Sequence, residues 1–296
     1  MALLLAEAQK LTNDVILQGI YENIVLESMV LQMLPFEEVN GTAVIFNQEA
    51  TLSGSAWYAV GDTWAEQSVT VAQKSVALKI LGGDVDVDAF LQQTYRNPND
   101  LRAVAIASKA KTVSYSFNDA FFNGNTAVNV KQFDGLGKML TAGQTRSLGV
   151  NGAAPTLDDY DALIDLVKPG KPDALFMSRR TRRGLKKLRR GTNSVIESDM
   201  NDYGQRVDFY DGIPVITDDN ISDVLTQGTA TNASVVYAVQ FGVGRGLVGL
   251  TNGWLQYTDI GELETKDALR MRVKWYCSLM NSRDLAIAGM TGVLPN

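Results

Sequence analysis

Eight positive charges fall within twelve residues: Arg179, Arg180, Arg182, Arg183, Lys186, Lys187, Arg189 and Arg190. Guanidinium and ammonium groups at this density could hold phosphate oxygens, and such binding weakens steeply with salt. They could also hold carboxylates, and Asp158, Asp159, Asp161 and Asp165 lie close by in the chain. Pairing of these charges across subunits is the favoured reading; nucleic acid is the competing one. A second charged pattern is Asp84, Asp86 and Asp88. On a strand, alternate residues share one face, so these carboxylates could hold a hard cation such as calcium. The run lacks the glycine and the distal glutamate of an EF-hand. A solvated acidic face, or one that meets arginines on a neighbour, is therefore expected.

Other candidates for chemistry are weaker. Gly244-Arg245-Gly246-Leu247-Val248-Gly249 fits the glycine pattern of a dinucleotide site. That motif must follow a strand and open a helix, whereas Leu247 to Leu250 itself reads as strand, so the glycines are expected to serve a turn. The chain has no histidine and one cysteine, Cys277. Ser-His-Asp catalysis, Cys-His catalysis and histidine metal sites are thereby excluded, as is an intrachain disulfide. No pair of carboxylates stands in a context that suggests acid–base work. A protein without enzymatic activity, cofactor or metal is expected.

Length and composition set the frame that must position these groups. The chain has 296 residues, 45% of them hydrophobic and 20% charged, which is enough for a well-formed core in one or two domains. The net charge of −6 argues against a broad nucleic-acid-binding surface. Glu7 comes too early for a signal-peptide apolar region. The longest uncharged stretch, 224–244, carries Thr, Gln, Asn and Gly throughout, so it reads as strand and loop and not as a membrane span. A cytosolic site of synthesis is expected.

The elements follow from periodicity. Ile16, Ile20, Ile24, Val25, Leu31 and Leu34 fall near helical spacing in an N-terminal arm that Pro35 ends. Residues 42–46 and 68–80 read as two strands of a long hairpin, with Trp57, Tyr58 and Trp64 near its tip. An isolated two-stranded hairpin is marginal in water. The tip therefore either packs on its own domain or anchors on another subunit. Asn97, Pro98 and Asp100 are a helix-start signal. Ile106, Ala110, Val113, Phe117, Ala120 and Phe121 then follow at spacings of three and four, until Asn123-Gly124. Glycines and Pro155 make 135–155 the best internal boundary. Thr156 caps a helix bearing Leu157, Tyr160, Leu163, Ile164 and Val167. Strands are expected at 174–177, 212–216, 234–239, 254–257 and 269–276, with the basic helix over 178–190. The class is α+β.

Three segments carry a family resemblance. Leu81-Gly82-Gly83-Asp84-Val85-Asp86-Val87-Asp88 runs through Phe90 toward the long helix. Asp211-Gly212-Ile213-Pro214-Val215-Ile216-Thr217-Asp218-Asp219 follows the central helices. Gly246 to Leu250, Asp259 to Glu264 and Arg272 to Tyr276 close the chain. In this order, over nearly the whole chain, the pattern resembles the major capsid proteins of tailed bacteriophages with the HK97 fold.

The resemblance implies an N-terminal arm over 1–39 and an extended hairpin loop over 40–82. It implies a peripheral domain of 83–140 plus 252–296, with a long spine helix, and an axial domain over 141–251. It implies a homo-oligomer of pentamers and hexamers in an icosahedral virion shell. The shell would be assembled in the bacterial host cytoplasm and would enclose double-stranded DNA without sequence-specific binding and without a membrane. Portal and cement proteins are implied partners. Some relatives carry a cleaved N-terminal scaffolding segment; this chain starts close to the arm, so a separate scaffolding protein, or none, is expected. The expected inter-subunit contacts are Trp57, Tyr58, Trp64, Asp84, Asp86, Asp88, Arg179, Arg180, Arg182 and Arg183. Some family members form a lysine–asparagine crosslink, but nothing marks Lys74 or Lys79 as reactive. Two alternatives remain open: the shell of an encapsulin-like nanocompartment, and a DNA-binding protein using residues 179–190.

Overall fold

A computed structural model describes residues 28–51, 55–64, 66, 70–94, 101–191, 197–200 and 206–295. The arm positions Ile16, Ile20, Ile24 and Val25, and the helix-start residues Asn97, Pro98 and Asp100, lie outside these. The described chain begins with a short helix, Met29–Met33, capped by the Ser28 side chain. The hydroxyl of Ser28 also donates to Asn118 at 2.8 Å, in buried surroundings. Pro35 ends the helix, and β1 (Phe36–Glu38) follows.

Next comes a hairpin of β2 (Ala43–Thr51) and β3 (Thr70–Ala77). The expected second strand, 68–80, is divided at Leu78, where β4 (Lys79–Asp88) begins. The reason is a change of partner: β3 pairs with β2, whereas β4 joins a sheet built by the end of the chain. The long helix Leu101–Asn123 is then followed by a loop. Beyond the loop come β5 (Thr145–Ser147), the helix Leu157–Leu166, β6 (Ala174–Met177) and the basic helix Arg179–Gly191. The remaining strands are β7 (Glu197–Met200), β8 (Arg206–Tyr210), β9 (Ile213–Thr217), β10 (Leu225–Gln227) and β11 (Ala230–Val239). They end with β12 (Leu247–Thr251), β13 (Gln256–Leu263), β14 (Lys266–Asn281) and β15 (Ile287–Val293).

Two main sheets result. The smaller runs β1-β12-β14-β13, with β4 also on β14. The larger runs β5-β15-β11-β6-β9-β8-β7, with β10 on β11. Strand β12 belongs to the smaller sheet, and β15 pairs with β11 and β5 in the larger one. Apolar Ile287 to Val293 finds its partners in β11, and no local pattern announces that choice.

Alternation explains the packing. In β14, Met271, Val273, Trp275, Cys277 and Leu279 are buried, while Arg270, Arg272, Lys274 and Tyr276 point the other way. The buried side meets the long helix, whose Ile106, Ala110, Val113, Phe117, Ala120 and Phe121 are all buried, as their spacing predicts. The Phe117 ring lies 4.8 Å from that of Trp275 and 5.5 Å from that of Phe133. The same core takes one face of the larger sheet through Phe176, Ile216, Tyr237 and Val239. The opposite face of that sheet, through Leu175, Met177, Val236 and Met290, packs under Tyr160, Leu163 and Leu185 of the two flanking helices. Thr156 caps the first of these helices in a capping box with Asp159, as expected. Among the described residues no helix is long and apolar enough to cross a membrane.

Candidate functional site

The acidic strand forms a ladder with β14. Register places Asp86 opposite Arg270 and Asp84 opposite Arg272. Arg270 donates to both carboxylate oxygens of Asp86, at 2.7 and 2.9 Å, and Lys266 adds a third bond at 2.6 Å. Arg272 grips Asp84 in the same two-pronged way, at 2.6 and 2.8 Å. Such bidentate pairs are strong for their type. The donors from Arg272 hold the Asp84 carboxyl below the usual carboxylate range. The donors from Arg270, then Lys266, do the same for Asp86. The arginines expected on a neighbour are thus supplied by the same chain. The cause is a pairing between strands about 180 residues apart in sequence, which proximity along the chain does not reveal. Asp88 lies on the same strand, opposite Ala268. Among the described residues no group of three metal-binding side chains occurs.

The basic helix is also partly paired within the chain. Arg179 meets Asp219 at 2.8 Å, on the surface. Arg180 meets Asp223 at 3.3 Å and donates to the carbonyls of Asp223 and Asn232. Arg182 and Lys186 converge on Asp208, at 3.7 and 2.7 Å. Arg189 donates to the carbonyl of Phe209 at 2.7 Å and lies over the Tyr210 ring. These carboxylates are not the cluster singled out in the sequence. Asp159 is taken up by the helix cap and by Arg146, and Asp161 accepts from the Tyr210 hydroxyl. Only the folding of β8 and of the segments beyond β9 brings Asp208, Asp219 and Asp223 to the helix, so no sequence signal marked them.

The hairpin is anchored at its base and exposed at its tip. Val44, Phe46, Val76 and Leu78 pack on Val39, Val248, Leu250 and Met280. Lys74 pairs with Asp284 at 2.9 Å, and Lys79 donates to the Val130 carbonyl at 2.8 Å. Near the tip, Trp57 and Val60 are fully exposed, and Trp64 is 76% exposed. The Tyr58 and Trp64 rings stack at 4.3 Å. Among the described residues, none covers Trp57.

Two further features bear on chemistry. Cys277 is fully buried, and burial pushes its thiol up to about 12, away from the reactive thiolate. The glycine pattern at 244–249 leads into β12 and no helix, so it serves a turn. Adding a Cβ at Gly246 would strike the Gln240 carbonyl oxygen at 2.1 Å.

Comparison with known proteins adds to this geometry. A family model described as the phage capsid family matches residues 10–241. Among curated proteins no sequence matches. Several solved structures share the fold. The SrpI encapsulin of Synechococcus elongatus PCC 7942 superposes with a TM-score of 0.72 at 19% identity, covering 99% of this chain and 96% of that one. A protein of Mycobacterium phage Adephagia gives 0.66 at 13% identity, covering all of both chains. The capsid of an empty GTA particle gives 0.68 at 16% identity over 90% of each.

Proposed function

The chain belongs to the phage capsid family and is a capsid shell subunit, and we propose that its shell is the icosahedral head of a tailed phage enclosing double-stranded DNA. The family match over residues 10–241 carries this reading. The mechanism is assembly, not catalysis. The body tiles into pentamers and hexamers through repeated heterologous contacts that close into rings. The hairpin, 40–82, lies across an adjacent subunit, with Trp57, Tyr58 and Trp64 as anchors, because exposed aromatics at a projecting tip are typical interface anchors. The arm, 1–39, ties neighbours together. Area buried between subunits then supplies stability that one subunit lacks.

The peripheral unit is built on the smaller sheet and the long helix, the axial unit on the larger sheet. Asp84, Asp86, Arg179, Arg180 and Arg182 have partners in their own chain, so their first role in this reading is to shape one subunit's surface. Portal and cement proteins are the partners in this reading, with a separate scaffolding protein or none, and assembly takes place in the host cytoplasm.

The likeness to the encapsulin favours a second reading, a protein-filled nanocompartment. Particles isolated from the source and imaged by electron microscopy separate the two. A head has one portal-bearing vertex and nuclease-protected duplex DNA. A nanocompartment has closed symmetry and enzyme cargo. Nucleic-acid-free particles that always carry a protein cargo would overturn the first reading.

A further inference from the structure

The basic helix has two unlike faces. On one, Arg182 and Lys186 share the Asp208 carboxylate and Arg189 finds a carbonyl. On the other, Arg183, Lys187 and Arg190 have no carboxylate partner among the described residues. Their spacing puts them in one stripe along the helix. With Arg180, Gly184 and Pro295 they line a cleft of about 200 Å³. Gly184 has no side chain, which leaves the floor between the charged stems open. Like charges at this spacing repel one another. An anion in the cleft would relieve that repulsion.

We propose that the stripe Arg183–Lys187–Arg190 is a phosphate-backbone site for duplex DNA. The inference rests on the shell reading above, which puts DNA beside these subunits. Four residues of helix rise about 6 Å, so Arg183 and Lys187 can address neighbouring phosphates of one strand. Guanidinium forks suit phosphate oxygens. The chain as a whole carries −6. That balance disfavours a broad contact, so duplex DNA is held at this stripe through about three phosphates, independently of base sequence.

Binding of a short labelled duplex to unassembled subunits, followed by fluorescence anisotropy over a salt series, tests the proposal. Three neutralised phosphates give a slope of log K on log salt of about −3. In Arg183→Gln/Lys187→Gln/Arg190→Gln the slope should fall to near zero, and affinity at low salt should drop roughly tenfold or more. The variant should still form particles by electron microscopy, because a stripe that faces DNA is not one that closes the shell. Duplex binding unchanged in the triple variant overturns the proposal. So does a variant that fails to assemble while binding the duplex normally, which would assign the stripe to carboxylates of a neighbouring subunit. An acidic peptide that binds as tightly as the duplex would reassign the site to a protein partner. None of these results touches the shell reading, which fails separately if the wild-type chain forms no particles.

Discussion

Asp86 accepts three hydrogen bonds from Arg270 and Lys266, and Asp84 two from Arg272. Both carboxyls titrate below their usual range because the donors favour the anion. A depressed carboxyl contributes stability that is present above its unfolded value of about 3.9 and is lost as the pH falls through the folded value. Arg270→Gln/Arg272→Gln should therefore be less stable than wild type near neutral pH. The difference should close as the pH drops below about 3, and urea midpoints over a pH series measure it. The groups are partly exposed, so added salt should also narrow the gap. A gap indifferent to pH and salt would mean that the arginines act through packing alone. Cys277 gives a second residue-scale prediction. With its thiol buried and pushed up to about 12, it should resist maleimide in the native protein and label rapidly once denaturant unfolds the chain. Fast native labelling would show that the β14 core opens.

The long helix and β14 form the element on which the small sheet and the large sheet meet. Phe117 is wholly buried against Trp275, Phe133 and Phe36. Phe117→Ala should lower stability by about 3–5 kcal/mol through lost burial and a cavity, read from denaturant midpoints. A change near zero would mean that the site collapses without cost. Strand β1 depends on close approach. It runs parallel to β12, and a Cβ at Gly249 would meet the Phe36 ring at 2.4 Å. Gly249→Ala should force that ring outward at a cost of about 1–3 kcal/mol. Hydrogen exchange should rise in Phe36–Glu38 before it rises in β14. The long helix was legible from its periodicity, whereas no strand was expected at β1, and the contacts Phe117–Trp275 and Phe36–Gly249 link residues more than a hundred positions apart.

At the scale of the whole molecule, the hairpin joins the subunit at its base and leaves aromatic side chains uncovered near its tip. Its base is packed, whereas Trp57 and Trp64 stand in solvent. Exposed tryptophans of this kind are typical of surfaces completed by a partner. Trp57→Ala/Trp64→Ala should therefore leave the circular dichroism and melting of the isolated subunit nearly unchanged and abolish particles in sedimentation. Loss of subunit stability with normal assembly would place the aromatics in the monomer's own fold instead. Family membership makes the chain a shell subunit, and this variant asks whether the tip is one of the contacts that close the shell.

Local patterns determined much of this protein. The spacing of Ile106 to Phe121 marked the long helix, Thr156 marked a cap, and alternation marked β14, because helix and strand periods act over a few residues. The order of these elements was also enough to suggest the family. Only the tertiary structure decided which strand lay beside which. It brought Asp84 and Asp86 to Arg272 and Arg270, sent β15 to the larger sheet, and gave Arg182 and Lys186 their common partner Asp208, whereas Arg183 and Lys187 meet no carboxylate among the described residues. Charge and hydrophobicity are properties of residues, but pairing depends on distance in space, and distance is set by contacts between segments far apart in the chain.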